Sequence, residues 1–400
     1  MSIFEGFLST PQAIEAFGDR QFVAAMLRFE SALARAQAKA GLIPEAAAQT
    51  IADTCKVELF DVPQIVRDSG RAGSVAIPLV AKLKENVALF NASAVPHVHF
   101  GSTSQDVIDT AMALVSKQGL QLIEADLKRA IDALLQLAEK HAATPVLART
   151  LMQPASVTSF GLKCVNWVAP LVRSLGRLRT ASKHALAVQL GGAVGTLSTL
   201  NGAGSQVVQS MSAELGLAAR SSAWHTQRDQ WLALACELAL MVGSLGKIGQ
   251  DIALMGQFEV GELAEPTEAG RGGSSAMPHK RNPVASMTAK AAAHRAPQRL
   301  AAMLATMPHE HERALGAWQA ELAEWPGLMV TAHGSVHAMA GALQGLQVFE
   351  QRMRSNIDSL AVQLPAATAQ EWFSVDLAQH AARITLAQIK ELQVLKASYE

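Results

Sequence analysis

The sequence predicts an all-α fold built around a bundle of long helices. Apolar residues recur three and four positions apart over several long stretches, which is the spacing of one helix face. Alternating β-branched runs with hairpin turns between them are not evident. Aromatic residues make up only 5% of the chain and alanine is abundant, so neighbouring helices can approach closely.

Four apolar stripes define the expected long helices. The first ends before Gly41 and Pro44, which both terminate helices. The second follows GSTSQD, where Ser102, Thr103 or Ser104 can cap the helix, and runs to about residue 141. Each stripe keeps close to a seven-residue repeat, so we expect helices that cross at about 20° in a bundle. The stripes are Phe22, Met26, Phe29, Leu33 and Ala36; Val107, Ala111, Leu114, Gln118, Gln121, Leu127, Ile131, Leu134 and Ala138, with two glutamines among its apolar residues; Phe160, Cys164, Trp167, Leu171, Leu175 and Leu178; and Leu234, Leu238, Met241, Leu245, Ile248, Ile252 and Met255.

The pattern divides the chain into three regions. We expect an N-terminal helical domain over 1–100, a central long-helix bundle over 101–345 and a short C-terminal helical region over 346–400. An irregular stretch at 91–104, NASAVPHVHFGSTS, marks the first boundary. The Gly-rich stretch at 190–206 lies between two helical patterns, which favours a connection inside the bundle.

Composition argues against several classes of partner. Basic and acidic residues are balanced, 34 of each, which leaves no charge excess typical of nucleic-acid or membrane binding. The three cysteines have neither metal-ligand spacing nor a disulfide framework, which suits a reducing cytoplasm. The N-terminus does not resemble a signal peptide, and no uncharged apolar run is long enough to span a membrane. We therefore expect a cytoplasmic protein without nucleic-acid or membrane partners.

One stretch at 268–286, EAGRGGSSAMPHKRNPVAS, breaks the helical pattern. Its Gly-Gly-Ser-Ser run allows backbone N–H groups to converge on an anion, and Lys280, Arg281 and Asn282 add positive charge and an amide donor. Such a loop can stabilise an oxyanion or a carboxylate on which charge builds. The spacing of a phosphate-binding P-loop is absent. A basic surface loop that caps the next helix explains the same residues, so the residues alone leave both interpretations open.

This loop resembles a family signature. GSSAMPHKRNP at 273–283 closely resembles the signature of the fumarase/aspartase superfamily. VHFGSTSQDVIDTA at 98–111 and ARTLMQPASVTSFG at 148–161 are similar to two further segments of that family, in the same order. The resemblance implies an all-α, homotetrameric enzyme with a central long-helix bundle. It also implies that each active site takes its three segments from three different subunits.

The resemblance assigns roles to three residues of the loop. Ser274 matches the family's catalytic base, which removes the proton α to a substrate carboxylate in the elimination direction. A serine hydroxyl is a poor base by itself and needs activation. Lys280 and Asn282 match residues that hold the substrate carboxylate as negative charge builds on it.

The other two segments match substrate-binding residues. His99 matches a histidine that contacts the substrate, and Thr103 and Ser104 match hydroxyl donors to a carboxylate. Gln153 matches the glutamine of the second segment. All four are therefore candidates for binding a small-molecule substrate.

Two further substrate-binding candidates lie outside these segments. Gln227 precedes a predicted helix, and Arg313 can pair with a carboxylate through two N–H groups. Helix capping by Gln227 and a surface ion pair for Arg313 remain alternatives. The neighbouring HEHE at 309–312 lacks metal-site spacing, since on a helix His309 and His311 would point in different directions. We predict no metal ion and no cofactor.

Two departures from the family pattern indicate the type of reaction. Leu151 stands where many members have a histidine, and Met287 stands where they have the glutamate paired with it. An amine or hydroxide leaving group needs a general acid, whereas a carboxylate, with a pKa of about 4, departs unprotonated. In lacking this pair the chain resembles the cycloisomerase branch of the superfamily, and the resemblance implies a reaction in which one carboxylate of a small tricarboxylate substrate adds to a double bond of the same molecule and closes a lactone.

Two other functions remain open. One is a C–N lyase of the adenylosuccinate lyase type, which the apolar residues Leu151 and Met287 count against. The other is a catalytically silent helical scaffold, which the intact set of Ser274, Lys280 and Asn282 counts against. The region after about residue 345 is shorter than the family's third domain, so the rim of the site is expected to differ.

Overall fold

Helices make up most of the chain, as the sequence predicts. The computed structural model describes residues 3–268 and 270–399. The N-terminal part contains α1 (Pro11–Ala16), α2 (Asp19–Lys39), α3 (Glu45–Thr54), α4 (Val62–Ala72) and α5 (Ala76–Phe90), with 3-10 turns at Gly6–Leu8, Val57–Leu59 and Ala92–His97. The middle contains α6 (Ser104–Lys140), β1 (Pro145–Thr150), β2 (Gln153–Ser159), α7 (Phe160–Ala185), a 3-10 turn at Ser198–Leu200, α8 (Gly204–Leu215), α9 (Asp229–Met255), β3 (Leu263–Ala264), α10 (Val284–Ala305) and α11 (Ala317–Gln344). The remainder contains β4 (Gln347–Val348), α12 (Glu350–Ala361), α13 (Ala366–Trp372) and α14 (Leu377–Ala397).

Five long helices, α6, α7, α9, α10 and α11, pack side by side as the central bundle. Their buried faces include the predicted stripes, and Leu127, Val168 and Leu245 are fully inaccessible. α9 and α10 approach closely at Gly246, where an added Cβ would lie 2.4 Å from the Cβ of Ala293. The helices predicted from the four stripes, α2, α6, α7 and α9, are therefore confirmed.

The structure also contains a β-hairpin that the sequence pattern did not predict. β1 and β2 pair antiparallel, and Leu147 and Val157 pack against Ile357 of α12. The turn residues Leu151 and Met152 have φ angles of 50° and 66°, a conformation in which hairpins usually carry Gly or Asn. The turn therefore lacks the usual sequence signal. The expectation of no hairpins is wrong, and the fold is mostly rather than entirely helical.

The C-terminal region returns to the bundle. β4 pairs with β3, which lies in the segment that follows α9. α14 lies along α7. One apolar cluster extends from Val23 in α2 to Leu392 in α14. α11 ends at Gln344, next to the expected boundary at 345, but the division into three domains stays a prediction.

By length and composition alone, α9 could cross a membrane, and no other helix of the described residues could. Just over half of its most apolar window is buried inside the protein, because α7, α10 and α11 surround it. A helix that is apolar on most sides is also typical of a bundle core. The packing favours that interpretation.

The bundle has two ends, which α9 connects. At its start, Arg228 pairs with Asp109 near the beginning of α6. Beyond its last residue, Glu262 pairs with Arg149 of β1. The 27 residues of α9 span about 40 Å at 1.5 Å per residue. We call these regions the Thr103 end (99–109, 189–193, 225–228 and 309–321) and the hairpin end (145–159 and 262–287).

Candidate active site

The Thr103 end is organised by a buried carboxylate, Asp106. Thr103 is the N-cap of α6, as the sequence allowed, and its N–H donates to Asp106 at 3.0 Å. The N–H groups of Gly191 and Gly192 donate to the same carboxylate at 2.9 Å each. The Nε2 of His225 lies 2.7 Å from it. These contacts fix the Gly-rich connection against the first turn of α6.

Arg313 is brought directly to the start of α6. Its Nη1 donates to the Oγ1 of Thr103 at 2.7 Å, and its Nη2 donates to the carbonyl of Ala193 at 2.8 Å. Ser104 is the first residue of the helix and is partly exposed. A guanidinium beside a helix N-terminus favours an anion, because the unpaired N–H groups and the helix dipole are both positive there. The grouping is suited to a substrate carboxylate.

His99 lies next to this grouping and has an acidic partner. Its Nδ1 is 2.6 Å from Oε1 of Glu30, a residue of α2 that is 1% exposed. Burial alone would lower the pKa of His99, but the charge and hydrogen bond of Glu30 outweigh burial and raise that pKa. Glu30 was not predicted. Its signal was an acidic residue on the apolar face of a helix, one turn from Met26 and Leu33.

A buried charge network supports the same end. Arg228 donates to Asp109 at 2.9 Å and also pairs with Glu321 of α11. The indole N–H of Trp318 donates to Asp109 at 2.9 Å. These residues were also not predicted as a group. The exposed side chain of Gln227 donates to the carbonyl of Ala223 at 3.1 Å, and the N-terminus of α9 has no side-chain cap, so the capping alternative for Gln227 is wrong.

The connection that carries HEHE is not helical. Residues 307–316 lie between α10 and α11, and His311 has a φ of 45°. The geometric argument against a metal site at 309–312 assumed a helix, and that assumption is wrong. The Nδ1 of His309 instead lies 3.2 Å from the carbonyl of His225.

The signature loop lies at the hairpin end and is closed by its own hydrogen bonds. The Oγ of Ser274 accepts from the N–H groups of Ala276 and Met277, at 3.3 and 3.1 Å. The N–H of Asn282 donates to the carbonyl of Gly272 at 2.8 Å. Gly272 has a φ of 71°, and an added Cβ would lie 2.7 Å from the Asn282 carbonyl, so the closure requires glycine here.

The remaining predicted residues at this end face solvent in a single chain. Lys280 is exposed, and Gln153 is exposed at the start of β2. Leu151 is 96% exposed and Met287 50%. An apolar enclosure around Leu151 and Met287 is therefore not formed by the described part of one chain.

The predicted site residues thus fall into two groups. His99, Thr103, Ser104, Gln227 and Arg313 belong to the Thr103 end. Gln153, Ser274, Lys280 and Asn282 belong to the hairpin end. The length of α9, about 40 Å, separates the two groups within one chain.

The long-helix bundle and the glycine-rich loop at its end are features of a mostly helical enzyme of the lyase class. The family described as Lyase matches residues 7–297. The chain belongs to this family, within the fumarase/aspartase superfamily.

Three similar proteins match this chain over most of its length. The 3-carboxy-cis,cis-muconate cycloisomerase of Bradyrhizobium diazoefficiens is 44% identical over 352 residues, which cover 88% of this chain and 78% of that protein. The nitrosuccinate lyase of Streptomyces davaonensis is 40% identical over 351 residues, covering 86% of this chain and 74% of that protein. The crystal structure of the 3-carboxy-cis,cis-muconate lactonizing enzyme from Pseudomonas putida matches with a TM-score of 0.84 and 36% identity, over 98% of this chain and 89% of that chain.

Proposed function

We propose that this protein is a 3-carboxy-cis,cis-muconate cycloisomerase, an intramolecular lyase that forms 4-carboxymuconolactone in the protocatechuate branch of the β-ketoadipate pathway. The observation that carries the proposal is the joint replacement of the family's His–Glu pair by Leu151 and Met287. The relatives that act on carboxymuconate, at up to 44% identity, support it. We further propose that the enzyme is cytoplasmic and acts without a cofactor.

The chemistry explains why the pair is dispensable. In lactonisation a substrate carboxylate oxygen forms a C–O bond to a carbon of the conjugated diene. The π electrons move to the carbon α to a second carboxylate, and that carbon takes up a proton. In the reverse direction the departing group is a carboxylate with a pKa of about 4, which needs no protonation at neutral pH. One acid–base group is therefore enough.

Each candidate residue then has a role. Ser274 exchanges the proton at the α carbon, while Lys280 and Asn282 hold the carboxylate on which charge builds. Arg313, Thr103 and Ser104 bind another of the three carboxylates. His99, Gln153 and Gln227 are candidates for contacts that orient the diene and its substituents.

We propose that the complete site forms between subunits of a homotetramer. The separation of the two groups of residues supports this, because a single chain cannot bring Arg313 to Ser274. An open groove of about 830 Å³ on α7, α9 and α10 gives independent support. Its lining combines apolar and charged residues, among them Trp167, Leu240, Lys247 and Leu300, and Leu240 is 55% exposed. A helix of another subunit would cover this surface.

An assay with three substrates tests the function. The purified protein should remove the diene absorbance of 3-carboxy-cis,cis-muconate. It should leave nitrosuccinate and adenylosuccinate unchanged under the same conditions. Turnover of adenylosuccinate or nitrosuccinate in place of carboxymuconate would replace the proposal with a different lyase. Inactivity on all three by assembled protein would favour the scaffold alternative.

A further inference from the structure

Away from both ends of the bundle, α6 and α11 bring an aspartate and two histidines together. The Oδ2 of Asp126 lies 3.3 Å from the Nε2 of His333 and 2.8 Å from the Nδ1 of His337. One ligand-type atom from each of the three residues lies within 4.8 Å of the other two. None of these residues belongs to the candidate active site.

The spacing suits a tetrahedral ion. Histidines four residues apart on a helix lie on the same face and can chelate one ion. Zinc bonds nitrogen and carboxylate oxygen at about 2.0–2.2 Å, so the ligand atoms of a tetrahedral site lie roughly 3.3–3.5 Å apart. The His333–Asp126 distance of 3.3 Å already meets this value. The 2.8 Å contact of His337 must lengthen, which is feasible because half of that side chain is exposed.

Neighbouring groups hold the three side chains in place. The Nδ1 of His333 lies 2.8 Å from the Oγ1 of Thr10, which itself caps α1. Arg129 donates to the Oδ1 of Asp126 at 2.6 Å and so leaves Oδ2 facing the two rings. Outer contacts of this kind orient metal ligands in proteins.

We propose that Asp126, His333 and His337 form a binding site for a divalent transition-metal ion such as Zn²⁺. The exposed side of His337 leaves a coordination position open to water. The ion replaces the protons that the two rings now share with Asp126, and it links α6, α11 and, through Thr10, the start of α1. The site lies about 33 Å along α6 from Ser104. Since its three residues belong to neither group of candidate site residues, we assign it a structural role, and bound metal should leave turnover of carboxymuconate unchanged.

Hydrogen bonds between α6 and α11 explain the same contacts without a metal ion. Cobalt binding distinguishes this alternative from the proposed metal site. Assembled protein without a histidine tag is titrated with Co²⁺, whose visible absorption reports tetrahedral nitrogen and oxygen ligands. We expect one Co²⁺ per chain, displaced by Zn²⁺. His337→Gln should weaken binding at least about tenfold. His380→Gln, which changes an exposed helical histidine elsewhere, should bind as the wild type does.

Thermal unfolding gives a second measurement. Saturating Zn²⁺ should raise Tm in the wild type and in His380→Gln, because the ion binds only the folded state. His337→Gln should show no such rise, and since this side chain is half exposed the variant should fold. Absence of saturable binding in the wild type would overturn the proposal. So would equal binding and an equal Tm rise in His337→Gln.

Discussion

His99 combines an uncommon backbone conformation with a side-chain contact to a buried glutamate. Its φ is 61°, which is uncommon for a residue other than glycine. The ring contacts Glu30, whose second oxygen, Oε2, has no hydrogen-bond partner among the described residues. Most of this carboxylate's favourable interaction is therefore with the imidazole. The pair favours a protonated His99 beside Thr103.

Replacing Glu30 by glutamine should lower the pKa of His99, because the attraction that opposes burial is lost. In the wild type the interaction stabilises the fold fully below the unfolded-state pKa of about 6.5, and this stability is lost as the pH rises through the raised folded-state pKa. Because burial then opposes the charged imidazole, Glu30→Gln should remove this loss of stability at rising pH or reverse its sign. Titration of ¹³C-labelled histidine and unfolding free energies measured against pH test both effects. Glu58→Gln, at an exposed pair with Arg20, is the control, and an unchanged His99 pKa in Glu30→Gln would contradict the interpretation.

Ser274 and its neighbour offer a matched pair of substitutions. Ser274→Ala should lower turnover of carboxymuconate at least about 100-fold, a typical contribution of an acid–base group. Folding and assembly should not change, because the hydroxyl only accepts bonds within an exposed loop. Ser275→Ala, one residue further along the same loop, should keep near-wild-type turnover. Similar turnover in the two purified variants would remove Ser274 from the mechanism.

At the level of elements, the helices were predictable and the contacts between them were not. Burial of one face imposes the three-and-four spacing on α6 or α9, and this spacing is visible in the sequence. β1 and β2 are short and turn at Leu151 and Met152, so no local signal marks them. The partners of Thr103 and His99 lie 210 and 69 residues away. Such pairs depend on tertiary packing and cannot be read from local sequence.

A buried ion pair contributes to the attachment of the hairpin, in addition to the packing of Leu147 and Val157 on Ile357. Arg149 donates two hydrogen bonds, of 2.8 and 2.9 Å, to the fully buried Glu262. Arg149→Ala would leave Glu262 with Asn356 as a side-chain partner, and should destabilise the fold by about 3 kcal/mol. Arg354→Ala, which breaks an exposed pair with Asp358, should change stability by less than about 1 kcal/mol. Urea unfolding measures both, and an equal loss would show that the hairpin does not depend on Arg149.

Restoring the family's missing pair tests the leaving-group argument. Leu151→His alone places an imidazole at the hairpin turn without its glutamate and should weaken activity. Leu151→His combined with Met287→Glu should still not accelerate lactonisation, because a carboxylate nucleophile gains nothing from protonation. Turnover of carboxymuconate at several pH values measures both variants. A double variant faster than the wild type would mean that a general acid limits the reaction.

For the whole molecule, the distance between the Thr103 end and the hairpin end is the dominant feature. The two groups of candidate residues can meet only if another copy of the chain supplies one of them. The partly exposed apolar side of α9 and the groove beside it are where further copies can pack. On this proposal, catalysis requires that the subunits assemble.

Mixed assemblies test this arrangement. Ser274→Ala and Arg313→Gln chains, each inactive by expectation, are unfolded together and reassembled in equal amounts. If the loop and Arg313 of one site come from different chains, about a quarter of the sites recover both wild-type residues by random association. Roughly a quarter of wild-type turnover should therefore return. No recovery in verified mixed tetramers would indicate sites built within one chain.

The 40 Å span of α9 also gives the proposed enzyme a concentration threshold. An isolated chain, however well folded, keeps its two groups of candidate residues too far apart to act on one substrate molecule. If the proposed intersubunit site is right, a newly synthesised chain should be inactive until it assembles with others, and dilution below the assembly constant should abolish catalysis while helical structure persists. Specific activity should then be proportional to the fraction of chains that are assembled.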